Sequence, residues 1–330
     1  MQDEHRQPCT KEPYGFTTDG SEVSRFILTN GPLEVTLLEY GATIESIVYR
    51  RADGTTQALC KALDSLADYE QDAGYTGASI GPVANRMRNA TYRIGDQEIK
   101  VTPNEGMHQL HGGPNGLHQC VWNGEITVDA RGPSVQLEST HVDGTDGYIG
   151  NLLVRVRYTL DNEGGFWIEY TGICDAPRPV SLTSHPYFGF EGERTQHRLL
   201  INSVRQLEVD DSMLPTGIIV DVSNTHTDFS QRKDVCGVSL DNTYLYPSSD
   251  ALIEMAVVTS PSMMLTVYSN QPALQAYVSH DADAESTWVC LEPHGYVDAT
   301  RYSNFESVVL LPNQVYRHCT KLCFRLNDPS

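Results

Sequence analysis

The chain has 330 residues, of which 39% are hydrophobic and 20% charged, and its formal net charge is −20 with a pI of about 4.8. A surface this acidic repels nucleic acid and anionic membranes, so we exclude both as partners. No apolar run reaches the length of about 20 residues that a membrane-spanning helix needs, and the polar N-terminus predicts no secretory signal.

Eight cysteines are scattered along the chain without a CxxC pair. Thiols spaced in this way in a long chain are typical of a reducing compartment rather than of a disulfide framework. Cys319 and Cys323 are four residues apart in an alternating strand pattern, so we expect both side chains on one face. These observations predict a soluble, cytoplasmic protein.

The N-terminal segment, residues 1–12, is polar, and we expect it to be a disordered tail before a single domain that spans residues 13–330. The domain opens with runs of strand-forming residues at 23–28 and 33–38, separated by the turn residues Asn30-Gly31-Pro32. The early part of the chain therefore predicts strands joined by tight turns.

Residues 64–70 predict one short helix, which Asp64 or Ser65 caps. Further strands are predicted at 92–101, around a Gly-Asp turn, and in several later runs that extend to 315–326.

The run from residue 152 to 160 shows the clearest strand pattern, since Val154, Val156 and Tyr158 alternate with Arg155 and Arg157. Alternation of this kind predicts an antiparallel strand with one buried face. Long helical periodicity is nearly absent, and strands do not alternate with helices. We predict an all-β fold, a large and mostly antiparallel β-sandwich with few short helices.

The stretch 181–190 places His185 inside an apolar and aromatic run, next to Tyr187 and Phe188. Pro179 disfavours a helical conformation at Arg178, so the stretch enters in an extended form and His185 lies in or beside a strand. A desolvated imidazole responds to neighbouring charges, as a general acid or base must. The alternative is a core histidine with both nitrogens hydrogen-bonded.

Other polar groups stand in apolar or glycine-rich contexts. Asn85 and Arg86 follow an apolar run, and His111 precedes Gly112 and Gly113, which we expect to let the backbone approach a ligand closely.

Two acidic residues lie in strand-like settings. One is Asp241. The other, Glu292, follows three apolar residues, and partial desolvation there predicts a raised pKa and a base that works near neutral pH. The alternative for Glu292 is a carboxylate that is simply solvated or paired.

Signatures of common cofactor and metal sites are missing: the sequence has no GxGxxG after a strand, no Walker A motif, no HExxH and no GxSxG. His108 and His111 are three residues apart, which could suggest a metal site. A strand or loop does not bring two such histidines to one ion, and no thiolate or carboxylate lies close in sequence. We therefore expect no metal and no cofactor.

Taken together, the motifs resemble the aldose 1-epimerase (galactose mutarotase) family over residues 14–326. The segments occur in family order: Asp64-Ser-Leu-Ala-Asp-Tyr, Val83-Ala-Asn-Arg-Met, Leu110-His-Gly-Gly with Gly116 and Trp122, residues 143–151, Ser184-His-Pro-Tyr-Phe, residues 214–217, 240–242 and 275–277, and Cys290-Leu-Glu-Pro. The resemblance implies a β-sandwich with an active-site cleft on one sheet face, and a cofactor-free isomerase that interconverts the α and β anomers of a free hexose.

The resemblance also implies roles for individual residues. Glu292 matches the base that removes the proton of the anomeric hydroxyl, and His185 matches the acid that protonates the ring oxygen. His111 matches a second histidine near the ring oxygen. The remaining sugar contacts implied are Asn85, Arg86, Asp241 and Gln275.

The chain departs from the family pattern at five positions: Pro82, His108, Ser184, Pro186 and His294. Several polar groups that flank the acid and base therefore differ, and the identity of the sugar stays open. The alternatives are a mutarotase for another or modified sugar, such as a ketose, deoxysugar or phosphorylated hexose, and a non-catalytic sugar-binding protein. We expect a small-molecule sugar as the partner and a monomer or homodimer.

Overall fold

The computed structural model describes residues 8–280 and 287–327, and most of its regular structure is β-strand. The first ten strands are β1 (Cys9–Phe16), β2 (Glu22–Asn30), β3 (Leu33–Leu38), β4 (Ile44–Arg50), β5 (Thr56–Ala58), β6 (Ser79–Ile80), β7 (Arg86–Met87), β8 (Thr91–Ile94), β9 (Gln97–Lys100) and β10 (Gln109–Leu110). The next ten are β11 (Asn123–Asp129), β12 (Gly132–His141), β13 (Leu152–Leu160), β14 (Gly165–Cys174), β15 (Arg178–Pro179), β16 (Thr183–Ser184), β17 (Tyr187–Phe188), β18 (Arg198–Ile201), β19 (Arg205–Val209) and β20 (Pro215–Asp221). The last eight are β21 (Lys233–Asp234), β22 (Leu240–Leu245), β23 (Ile253–Thr259), β24 (Met263–Ser269), β25 (Ala273–His280), β26 (Thr287–His294), β27 (Val309–Leu310) and β28 (Tyr316–Leu326).

One short α-helix, α1 (Leu66–Gln71), interrupts the strands near the predicted position. Its cap is Ser65, whose Oγ accepts a hydrogen bond from the Asp68 backbone N–H at 3.3 Å. Five 3₁₀ turns complete the helical structure of the described residues: Arg88–Ala90, Leu117–Gln119, Thr145–Gly147, Arg194–Gln196 and Ala299–Arg301. None of the helices in 8–280 and 287–327 has the length and apolar character to cross a membrane.

Three large sheets contain most of the strands. The first has five strands in the order β1-β2-β3-β4-β5, and the second has nine in the order β11-β12-β13-β14-β28-β24-β23-β18-β21. The third has six in the order β17-β26-β25-β22-β19-β20. Four two-stranded pairs join β6 to β16, β7 to β10, β8 to β9 and β15 to β27, and every such ladder in the described residues is antiparallel.

The hydrophobic core draws on all three large sheets. Phe26 of the five-stranded sheet, Tyr158 of the nine-stranded sheet and Leu274 of the six-stranded sheet all belong to one buried cluster. The side chains on β13 alternate as predicted, with Val154 buried and Arg155 exposed. The prediction of a large, mostly antiparallel β-sandwich is confirmed.

The prediction of a disordered tail over residues 1–12 is wrong for its last part. β1 begins at Cys9 and pairs with β2, and Lys11 Nζ lies 2.8 Å from the buried carboxylate of Glu39. These polar residues therefore form an edge strand, because their charges find partners across the sheet. Residues 1–7 lie outside the described residues, and the single domain over 13–330 stays a prediction.

The thiols of all eight cysteines are free. Cys319 and Cys323 lie on β28 and are both half-buried at positions that alternate with buried residues, so the prediction of a shared face is confirmed.

Candidate active site

A cleft of about 190 Å³ lies against the six-stranded sheet. Its walls include every residue for which the sequence predicts a role: Asn85, Arg86, His111, His185, Asp241, Gln275 and Glu292. These residues come from six separate segments of the chain, so the fold alone brings them together.

Glu292 lies on β26, a strand whose eight residues are all buried. Its Oε1 atom is 3.5 Å from His185 Nε2, and its Oε2 atom has no hydrogen-bond partner among the described residues. Burial raises the pKa of this carboxyl group well above its usual value, and the nearby charge of Asp241 raises it further. The predicted desolvation and raised pKa of Glu292 agree with this geometry.

His185 lies between β16 and β17, and both of its backbone groups are fixed. Its N–H donates to the Ala78 carbonyl at 3.0 Å, and its carbonyl accepts from the Gly77 N–H at 2.9 Å. The ring is buried, Nδ1 has no partner among the described residues, and burial lowers the pKa to about 4. His185 is therefore neutral at pH 7 and is not a fully hydrogen-bonded core histidine.

His111 and Asn85 hold each other through two hydrogen bonds. The His111 N–H donates to the Asn85 carbonyl at 3.1 Å, and the Asn85 N–H donates to His111 Nδ1 at 3.2 Å. Because Nδ1 accepts, the neutral ring carries its proton on Nε2. Burial, followed by the neighbouring His185, lowers the pKa of His111 well below its usual value, which maintains this neutral form.

The two glycines after His111 are required by the fold. A Cβ atom on Gly112 would lie 2.1 Å from the Gly81 carbonyl oxygen, and one on Gly113 would lie 2.8 Å from Gln109 Nε2. Both have left-handed φ values, +88° and +94°. The close approach seen at both glycines is therefore to the protein's own backbone and side chains, and an approach to a ligand stays a prediction.

Arg86 is fixed by two carboxylates on different edges of its guanidinium group. Nε and Nη2 donate to the two oxygens of Glu105 at 2.8 and 3.0 Å. Nη1 lies 3.7 Å from Asp241 Oδ2. The two bonds to Glu105 form a bidentate pair, which sets the plane of the guanidinium group beside the cleft.

A chain of hydrogen bonds orients Gln275. Thr243 Oγ1 donates to Gln275 Oε1 at 2.5 Å, and Gln275 Nε2 donates to Asp241 Oδ1 at 2.5 Å. The sheet register makes this possible, because Gln275 of β25 stands opposite Thr243 on one side and Glu292 on the other. Burial raises the pKa of Asp241, and the Arg86 charge and the Gln275 hydrogen bond oppose that rise.

Three tyrosines that we did not predict also line the cleft: Tyr75, Tyr187 and Tyr277. The Tyr75 ring centroid is 4.7 Å from that of His111, and the Tyr187 centroid is 5.1 Å from that of His185. Tyr277 could have been predicted from the sequence, because it is two residues from Gln275 on a strand and so shares its face. Tyr75 has no comparable local signal, since it lies on a loop.

His111, His185 and Glu292 place one possible metal-ligand atom each within 4.8 Å of one another. The neutral His111 ring does not fit a metal, because Nδ1 already accepts from the Asn85 N–H and Nε2 carries the proton. His108, the other histidine that we considered, lies outside this cluster, and its Nδ1 accepts from the Asn89 N–H at 3.0 Å.

Three of the positions that depart from the family pattern, Ser184, Pro186 and His294, lie within two residues of His185 or Glu292 in the chain. Ser184 is buried directly before His185, with Pro186 after it. His294 ends β26 on the same face as Glu292, and its Nδ1 lies 2.5 Å from the Gly295 carbonyl oxygen. Pro82 follows Gly81 through a cis peptide bond.

Comparison with known proteins adds the decisive observation. The family model described as "Aldose 1-epimerase" matches residues 24–323. The chain belongs to the aldose 1-epimerase family. The resemblance predicted from its motifs is thus confirmed.

Relatives within the aldose 1-epimerase family span most of the chain. A galactose mutarotase of Bos taurus is 30% identical over 90% of this chain and 93% of its own. An aldose 1-epimerase of Escherichia coli strain K12 is 31% identical over 75% of this chain and 76% of its own. The crystal structure of a GalM/aldose epimerase homologue from C. elegans has a TM-score of 0.82 and 28% identity, and the match covers 92% of this chain and 98% of that one.

Proposed function

We propose that this aldose 1-epimerase family member interconverts the α and β anomers of a free hexose such as galactose or glucose. The observation that carries the proposal is the buried pair of Glu292 and His185, whose nearest atoms are 3.5 Å apart within the cleft. Ring opening requires a base and an acid that both reach a sugar bound in one small polar cavity, and this pair meets that requirement. The names of the relatives point to the same reaction.

In the proposed reaction, Glu292 removes the proton of the anomeric hydroxyl while His185 donates a proton to the ring oxygen. The bond between C1 and the ring oxygen breaks, and the open aldehyde rotates about the C1–C2 bond. Closure reverses the roles, because His185 takes the proton of the former ring oxygen and Glu292 returns one to the aldehyde oxygen. The atoms and protons balance without any other reactant.

For this reaction, Glu292 and His185 together must carry one proton. Burial raises the pKa of Glu292 and lowers that of His185, so burial favours the proton on the carboxyl group. Moving that proton to His185 creates the form that opens the ring, and the other form closes it. Both forms of the pair have the same net charge. Moving the proton between them therefore adds no net charge to the buried cleft, which limits the electrostatic cost of the step.

The other groups are proposed to hold the sugar. Arg86, the His111 Nε2–H and the Asn85 side-chain amide provide donors, while Asp241 and Gln275 provide further polar contacts. Tight orientation matters here, because the acid and base must reach two oxygens on the same carbon.

A second candidate is a mutarotase whose sugar is larger than one ring. A groove of about 550 Å³ shares Asp241 and Tyr277 with the cleft and continues over β19, β22 and β25. This continuity favours sugars with a neutral substituent beyond the reacting ring. The test is the ratio of kcat/KM values for lactose and glucose, because the reacting ring of lactose is glucose, and this candidate places the ratio above one.

Polarimetry of freshly dissolved α-D-galactose and α-D-glucose tests the main proposal. We expect the protein to accelerate the decay of optical rotation in proportion to its concentration, and the ratio between the sugars to give its preference. Decay at the buffer rate for both sugars, together with sugar binding by calorimetry, would instead support a non-catalytic sugar-binding protein.

A further inference from the structure

Arg86 is the only lysine or arginine among the described residues that line the cleft. Its charge faces two carboxylates, since Glu105 binds the Nε and Nη2 edge and Asp241 lies 3.7 Å from Nη1. The carboxylates of Glu105 and Asp241 thus outnumber the one cation, and the Glu292–His185 pair, which shares one proton, adds no net charge. The site therefore has no net positive charge to offer an anionic ligand.

Glu105 is held in place by its own tight turn. The Glu105 N–H donates to the His108 carbonyl at 3.1 Å, and the His108 N–H donates back to the Glu105 carbonyl at 2.9 Å. The next strand, β10, pairs with β7 and sets Leu110 opposite Arg86. The carboxylate thus reaches Arg86 from a fixed backbone rather than from a flexible surface position.

Two other arginines near Arg86 in sequence do not supply the missing charge. Arg88 pairs with Asp210 at 2.6 Å, and Arg93 pairs with Glu98 at 3.4 Å. Neither lines the cleft.

Two further charges, of opposite sign, lie near Tyr187, one of the tyrosines that line the cleft. Lys61 Nζ is 5.7 Å from the centroid of the Tyr187 ring. Asp72 accepts hydrogen bonds from the Gly74 and Thr76 backbone N–H groups at 2.9 and 2.6 Å. The two charges are of opposite sign and neither residue lines the cleft, so we take the charge balance there from Arg86 and its carboxylates. The adjoining groove has no lysine or arginine among its described lining residues.

We propose that Glu105 is a specificity-determining residue: by pairing with Arg86 next to Asp241, it makes the cleft select uncharged sugars over acidic ones such as uronates and sugar phosphates. The inference rests on the proposed function and adds the charge class of the substrate. Glu105 acts through Arg86 and does not itself line the cleft.

The size of the effect follows from Coulomb's law. Repulsion between two like charges about 6 Å apart lowers the binding affinity roughly 100-fold at an effective dielectric constant of about 20. Because Asp241 lines a cleft of only about 190 Å³, we take about 6 Å as a representative separation between a sugar carboxylate and that residue. Because Arg86 cancels one carboxylate, we expect kcat/KM for an acidic sugar to be about 10- to 100-fold below that for its neutral counterpart.

The test compares D-galactose with D-galacturonate, which differ by one carboxylate in place of a hydroxymethyl group. The buffer-corrected mutarotation rate of each α anomer is measured by polarimetry at pH 7 with the wild type and with three variants. Glu105→Gln removes the charge, Glu105→Asp keeps it, and Glu98→Gln makes the matched change in the Arg93 pair outside the cleft.

We expect the galacturonate-to-galactose ratio of kcat/KM to rise about 10-fold in Glu105→Gln and to stay unchanged in Glu105→Asp and Glu98→Gln. A purely structural role would lower both rates and leave the ratio unchanged in Glu105→Gln, which would overturn the inference. Equal wild-type activity on both sugars would also overturn it. Failure of the wild type on neutral sugars, galactose included, would instead remove the proposed function, and the inference with it.

Discussion

The imidazole of His185 and the carboxyl group of Glu292 lie 3.5 Å apart, although the two residues come from different parts of the chain. β17 connects them, because Tyr187, two residues after His185, stands opposite Cys290, two residues before Glu292. Their pKa values are displaced in opposite directions by the same burial. A buried acid–base pair of this kind is best tested through its pH dependence.

The pH dependence of kcat/KM on galactose should be bell-shaped and wide. The acid limb marks a second proton on the pair and should lie well below 6.5, toward the pKa of about 4 that burial gives His185. The alkaline limb marks loss of the remaining proton and should lie well above the ordinary pKa of a glutamate, because that of Glu292 is raised. Polarimetry measures this profile over the pH range in which circular dichroism shows that the fold is intact. An acid limb centred at 6.5, the ordinary histidine value, would contradict the assignment.

Thr243→Val should weaken sugar binding more than it slows the reaction. The change removes the hydroxyl that donates to Gln275 Oε1, so the amide is free to turn away from Asp241. Loss of one such hydrogen bond, worth about 1 kcal/mol, predicts a roughly 5-fold rise in KM with kcat nearly unchanged. The control is Thr266→Val, which makes the same change at a buried position of β24 in the nine-stranded sheet. An equal KM in both variants would argue against the orienting role.

Gly112→Ala should destabilise the fold strongly and reduce activity. The new Cβ atom would lie 2.1 Å from the Gly81 carbonyl oxygen, and the residue also has a φ of +88°. We expect a loss of about 3 kcal/mol or more in the free energy of unfolding. Gly95→Ala is the matched control, since its φ is +57° but no atom lies within 4 Å of the added Cβ, and it should lose only about 1 kcal/mol. Urea unfolding measures both, and similar losses would show that the close approach at Gly112 is unimportant.

The fold should lose stability on acidification before its carboxylates titrate. Burial lowers the pKa of His118, His197 and His294 to about 4 and that of His141 and His318 to about 3. These rings are neutral when folded but take up protons near 6.5 when unfolded, so their stabilising contribution is complete above 6.5 and is lost as the pH falls toward 4. Each contributes roughly 1.4 kcal/mol per pH unit in that window.

Urea unfolding midpoints at pH 7.5 and pH 5 measure this effect, and we expect a lower midpoint at pH 5. His141→Gln should reduce the pH dependence, whereas His226→Gln, which changes an exposed histidine, should retain it. A midpoint that stays constant or rises on acidification would contradict the assignment of these rings as neutral.

Local signals were sufficient for much of the fold. The cap at Ser65 and the alternation along β13 are properties of neighbouring residues, so the sequence alone predicts them. The edge strand at Cys9 was missed because its partners, strand β2 and the Glu39 carboxylate that Lys11 contacts, lie further along the chain. The tight packing of Gly112 was missed for the same reason, since its close neighbour, Gly81, is distant in sequence.

The site itself was predicted largely through family resemblance. Physical reasoning from the sequence identified Glu292 and His185 as candidates because each polar group stands in an apolar run, but it could not pair them. Glu105 was missed entirely, because its importance appears only when β7 and β10 bring it to Arg86. Long-range register, rather than local composition, decides such contacts.

The most direct test of the account is a double-mutant cycle on His185 and Glu292. The rate constants for α-D-galactose mutarotation are measured by polarimetry for the wild type, Glu292→Gln, His185→Asn and the double variant, with circular dichroism to verify folding. If the two residues share one proton and act as a unit, each single change lowers kcat by about 10²- to 10⁴-fold and the double variant is no slower than the slower single variant by more than a few-fold. Single variants that stay within a few-fold of the wild type, or a double variant whose loss equals the product of the two single losses, would contradict the shared acid–base pair.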